Sequence, residues 1–140
     1  MSSAFDPGNP DAWRCAEPGG GFYDPCFAPP GRSGVTRLAC MDTPWSGATI
    51  IRLARPLARS SRGAAIPSAA GHPWAMVLAN GQRCGLIEGT AALLDGSVLS
   101  FGCTGGGATF PRTAAEPWTA GYAATGSASL APVAVPAAWA

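Results

Sequence analysis

The sequence predicts a mostly β protein, an antiparallel sandwich or distorted barrel of about seven short strands, preceded by an irregular Pro- and Gly-rich N-terminal segment. Three observations carry that expectation. Short runs rich in β-branched, aliphatic or aromatic residues recur between Gly, Pro, Asn and Asp punctuation. No long stretch repeats apolar residues at helical spacing. The dipeptide Asn80-Gly81 stands between two such runs, and this pair is the strongest short-range signal for a hairpin.

Taken in order, residues 1–34 hold "DPGNPD", "EPGGG" and "APPGRSG", each a turn or loop signal, and predict irregular structure. Residues 1–12 read as a flexible N-terminal segment, and 13–140 as one β domain stapled by disulfides. The aromatic cluster "FYDPCF" would anchor the irregular stretch to the core. "GVTRLAC" at 34–40 and "ATIIRLA" at 48–54, separated by Pro44 and Gly47, predict a hairpin. Residues 59–73 are small, polar and interrupted by proline, the composition of a long exposed loop. Beyond them, "TGGGATF" predicts a bend or bulge and "PWTAGYAA" a strand at 117–124. A final strand over 130–135 belongs at an edge because Pro132 cannot donate to a ladder.

Between these lies the clearest stretch, "WAMVLA", Asn80-Gly81, "QRCGLIE", which predicts a two-residue type-I′ hairpin with Val77 facing Cys84. Two registers then compete for Cys103. A tight turn at Asp95-Gly96 would set it opposite Glu88; a wider loop over 89–98 would set it directly opposite Cys84, within reach of a cross-strand disulfide. The wider loop is preferred. It gives a meander of strands near 74–79, 82–88 and 98–103, with Asp95-Gly96 turning inside the loop.

Covalent cross-links answer a need of the composition. Of the apolar residues 28 are Ala, whereas Leu, Ile, Val and Phe together number 23, so the core is thin and the five Trp carry much of its buried area. Ordering such a chain needs disulfides or a metal. Five cysteines and a single His, with no C-x-x-C, do not fit tetrahedral zinc, and neither a metal nor another cofactor is expected. Disulfides imply an oxidising compartment. The net charge of +1 provides no global field for nucleic acid or anionic membrane, and no stretch is long and apolar enough to span a bilayer. "RLARPLARSSR" brings four arginines together, but Pro56 breaks any helix and the stretch reads as a solvated strand end and loop.

Catalytic chemistry finds little support. His72 stands alone beside Pro73 without a nucleophile motif, and three consecutive glycines at 105–107 lack any phosphate-cradling pattern. The interior carboxylates open to acid/base work are Asp24, Asp42, Glu88 and Asp95; Glu88 ends an otherwise apolar strand, Asp24 and Asp95 sit in Asp-Pro and Asp-Gly turn sequences, and Asp24 and Glu88 are kept as the polar site candidates. No catalytic residue is assigned.

Together, "DAWRC", "FYDPCF", "LACMDTPW", "PWAMVLANGQRC", "GTAALLDGSVLSFGC", "GGG", "EPWTAGYA" and "PVAVPAAW" resemble a group of exported or lipid-anchored proteins of actinomycetes that has no assigned function. The likeness runs from Trp13 to Trp139 and implies export, hence disulfides. Cys84 then pairs with Cys103, and Cys26 with Cys40. Cys15 is left over: it bonds to a cysteine upstream, competes within the N-terminal pair, or stays free. The opening "MSSAFDPGNPDAWRC" has no secretion signal, so export implies a mature or truncated portion, or a start placed downstream of the true one. The expected function is that of a binding or structural module of the cell envelope for an envelope or extracellular ligand. The alternatives are an envelope hydrolase acting on glycan or peptide through Glu88 or Asp24, and a small secreted protease inhibitor.

Overall fold

A computed structural model describes residues 3, 9–57, 73–87, 89–112 and 118–139. Among them the only regular structure is β: thirteen short strands, every pairing antiparallel, and no helix. The chain divides into two compact units, Met1–His72 and Pro73–Ala140.

The first unit is a four-stranded meander, β1 (Ala12–Ala16), β2 (Phe22–Phe27), β3 (Arg37–Cys40) and β4 (Thr49–Arg52), paired in chain order. The hairpin expected from 34–40 and 48–54 is the β3–β4 pair. Irregular structure across 1–34 is corrected, because "DAWRC" and "FYDPCF" supply β1 and β2. The reason lies in a bulge. Trp13 faces Cys26 and Cys15 faces Tyr23, so Arg14 alone opposes both Asp24 and Pro25. A bulge is where a strand tolerates a proline that has no N–H for the ladder. The core of this unit is Trp13, Cys26, Ala28, Leu38 and Cys40.

The second unit is built on a seven-stranded sheet. Its strands are β5 (Ala75–Val77), β6 (Arg83–Leu86), β9 (Phe101–Cys103), β10 (Gly106–Ala108), β11 (Thr119–Ala124), β12 (Ala131–Ala134) and β13 (Ala137–Trp139). They lie in the order β12-β11-β10-β9-β6-β5-β13. The two outermost strands are pieces of one segment broken only at Val135 and Pro136. Val135 N–H donates to the Trp118 carbonyl on the β11 side, and the Ala134 carbonyl accepts from Ala79 N–H next to β5, at 2.7 and 2.8 Å. The sheet thus curls on itself as a distorted barrel. Its inner face packs Met76, Leu78, Cys84, Phe101, Ala108, Ala120 and Val135. Pro132 lies in the terminal strand of the order, as the edge expectation required.

Two local expectations are corrected. The Asn80-Gly81 hairpin is shifted by one residue: Met76, not Val77, faces Cys84. Only Gly81 takes positive φ (83°), and Leu78 N–H donates to the Gln82 carbonyl, so three residues make the loop, in the arrangement that ends on a left-handed glycine. The second correction concerns "TGGG", which turns at Thr104-Gly105 and then enters β10 rather than ending as a bend. Glycine is required there: a Cβ on Gly106 would lie 1.9 Å from the Ala123 carbonyl oxygen across the ladder. Except for Pro73, the long loop expected at 59–73, with Arg59, Arg62 and His72, lies outside the described residues, as does Glu88.

Candidate functional site

The wide loop between β6 and β9 is itself structured. It folds into a separate two-stranded hairpin, β7 (Ala92–Leu94) and β8 (Ser97–Leu99), turned by Asp95 (φ 49°) and Gly96 (φ 70°). Positive φ at both central residues is the type-I′ condition, which Asp-Gly meets at small steric cost. Pairing sets Leu93 opposite Val98, Leu94 opposite Ser97 and Ala92 opposite Leu99. Strand alternation therefore puts Ala92, Leu94, Ser97 and Leu99 on one face and Leu93 and Val98 on the other. The latter two are 70% and 52% exposed.

Leu99 lies over the outer surface of the curled sheet, whose register aligns a row of small residues there: Ala75, Gly85, Gly102, Gly107 and Ala123 across five strands. Side chains of neighbours lie flat on this row. The Leu99 Cδ1 is 3.1 Å from where a Cβ of Gly107 would be, and the Ile87 Cγ1 3.7 Å from that of Gly102. A groove of about 330 Å³ opens here, lined by Ile87, Leu94, Leu99, Gly107 and Thr125–Ser127 among others. Further along the same β10–β11 ladder comes a polar cavity of about 550 Å³, lined by Asp95, Ser97, Thr109, Arg112 and Thr119 together with Leu130 and Pro132. Thr109 is held in place: its Oγ1 accepts from Gly121 N–H at 2.9 Å and donates to the Phe110 carbonyl at 3.2 Å. One hairpin therefore contributes to an apolar groove through Leu94 and Leu99 and to a charged cavity through Asp95 and Ser97. Both volumes fall in the ~300–1,000 Å³ range of small-ligand sites.

Of the residues singled out in the sequence, Asp95 lines the polar cavity, whereas Asp24 and the five cysteines line neither it nor the groove. Cys84 bonds to Cys103 and Cys26 to Cys40, each pair directly opposite across a ladder. Cys15 is a free thiol, half-buried on β1, and burial pushes it above the ordinary thiol range, with Asp24 adding to the effect. Asp24 is buried in the first unit, where Ser3 Oγ donates to its Oδ1 and the Arg14 Nε lies 3.9 Å from its Oδ2. The Arg14 guanidinium in turn sits 4.5 Å over the Phe22 ring. This carboxylate holds the β1–β2 bulge together. Trp13 and Trp74 are 4% and 5% exposed and belong to the interior. Among the described residues no three His, Cys, Asp or Glu gather to hold a metal, and no helix is long and apolar enough to cross a membrane.

Sequence reasoning missed Arg112, Thr109 and the small-residue row. Gly85, Gly102 and Gly107 carried a signal, each sitting at a strand-like position where a side chain would normally pack. No protein-family model, curated protein or solved structure matches the chain.

Proposed function

We propose that this protein is a binding module of an extracytoplasmic compartment and that it takes a small amphiphilic ligand beneath the β7–β8 hairpin. The observation that carries this reading is the succession, along one ladder, of an apolar groove and a cavity with Asp95 and Arg112 on its wall. An apolar body would lie against Leu94, Leu99 and Ile87, where displaced water favours binding. Its polar end would meet the hydroxyls of Ser97 and Thr119 and the two charges, which fix orientation. The compartment is supported by two disulfides, which persist where thiols are not kept reduced, and by the resemblance to exported actinomycete proteins. Attachment to the envelope is part of the same proposal and rests on that resemblance alone.

The hydrolase reading has less in its favour. Asp24 is engaged with Ser3 and Arg14, and Asp95 is the single carboxylate on the polar cavity's wall among the described residues, whereas acid/base hydrolysis of a glycan calls for two. Titration with a neutral apolar fluorophore such as N-phenyl-1-naphthylamine tests the groove. Leu94→Asp should abolish the fluorescence rise and Val98→Asp, on the hairpin's other face, should leave it intact; equal responses from both variants would refute the assignment.

A further inference from the structure

The first unit carries a second, unrelated feature. Arg37 on β3 and Arg52 on β4 are directly opposite each other. The neighbouring pair, Thr36 and Leu53, is the hydrogen-bonded one, since Leu53 N–H donates to the Thr36 carbonyl at 2.9 Å. Arg37 and Arg52 therefore occupy the alternate, closely approached kind of position, where side chains on one face crowd most. Both are exposed, and neither guanidinium is ion-paired among the described residues. Like charges set directly opposite oppose the fold that holds them. Nothing about the β3–β4 ladder requires cations there: the buried contacts run through Leu38 and Ile51, on the other face of the same strands.

Two guanidinium forks carried on one face at directly opposed positions of adjacent strands can present donors to oxygens of a single group, and their mutual repulsion is relieved when that group is an anion. Next to them on the same face lies an apolar row, Phe27, Ala39 and Ile50, with Ile50 60% exposed. We infer that Arg37 and Arg52 form an oxyanion-binding site on the first unit that takes a phosphate group carried on an apolar body. The site does not depend on the reading of the second unit.

The test uses inorganic phosphate and phenyl phosphate against sodium chloride at equal ionic strength, with thermal unfolding and backbone NMR shifts as readouts. Both phosphates should raise the melting temperature of the full chain and move the amides of 37, 38, 51 and 52, with phenyl phosphate saturating at lower concentration. Arg37→Gln and Arg52→Gln should each melt above the wild type in low salt, because repulsion is gone, and should lose the phosphate response. Arg52→Lys keeps the repulsion and should lose most of the response with the fork. Two results overturn the inference: a phosphate response equal to that of chloride, or one that survives undiminished in both glutamine variants. Tighter binding of inorganic phosphate than of phenyl phosphate overturns the part played by the apolar row.

Discussion

At the scale of single residues the fold turns on close approach rather than bulk. Gly106 tolerates no side chain, because the β11 backbone occupies the space a Cβ would need. Gly106→Ala should therefore destabilise the second unit by about 1–3 kcal/mol, the usual cost of overpacking, read as a lowered urea midpoint. Gly102→Ala meets only the Ile87 side chain at an ordinary 3.7 Å and should stay within about 0.5 kcal/mol of wild type. Cys15 makes a different prediction. Burial favours its neutral thiol in the folded state, so iodoacetamide should label it slowly at pH 8 and faster only above the ordinary thiol range. The same shift sets a sign for stability. Below the unfolded-state pKa the thiol is neutral in both states; above it the unfolded chain loses the proton first, so stability falls with rising pH through the alkaline range. Cys15→Ser should flatten that part of the stability profile, with Cys84, Cys103, Cys26 and Cys40 all held in disulfides and unable to titrate.

At the scale of elements, the Cys84–Cys103 bond closes the loop that carries the β7–β8 hairpin, so it positions the candidate site as well as stapling the sheet. Replacing both cysteines by Ala should cost about 3 kcal/mol by the loop-closure estimate, measured by urea unfolding, and should weaken fluorophore binding along with it. The site's geography also shows what a sequence can display. Asn80-Gly81 announced a hairpin, and the placement of Cys103 opposite Cys84 followed from choosing the wide loop. The register of the first turn did not follow, since Asn-Gly serves a three-residue loop with one left-handed glycine as well as a two-residue turn. The strands at "DAWRC" and "FYDPCF" were hidden because a proline inside a strand reads as a break until the bulge opposite Arg14 is seen. Arg112 and Thr109 reach their cavity through pairing between distant segments, and no local pattern marks that.

For the whole molecule, the account rests on a thin interior held by covalent bonds. Among the described residues the largest fully buried side chains are few, Phe101, Leu38, Met76 and Leu78 leading them, and two of the remainder are the disulfide cysteines Cys26 and Cys84. Loops of 14 and 19 residues are closed by the two bonds, which by the entropy estimate contribute about 6 kcal/mol together. That is comparable with the whole net stability of a small protein, roughly 5–15 kcal/mol. The all-β class was legible because it depends on punctuation and on the absence of helical periodicity, both local properties of the chain. The division into two compact units was not, since it depends on contacts between distant segments, which no local pattern marks. The most direct measurement is equilibrium urea unfolding of the oxidised and the fully reduced protein, followed by tryptophan fluorescence. The account predicts that reduction lowers the midpoint to near zero denaturant, leaving a largely unfolded chain; a reduced protein that unfolds at the same midpoint as the oxidised one would contradict it.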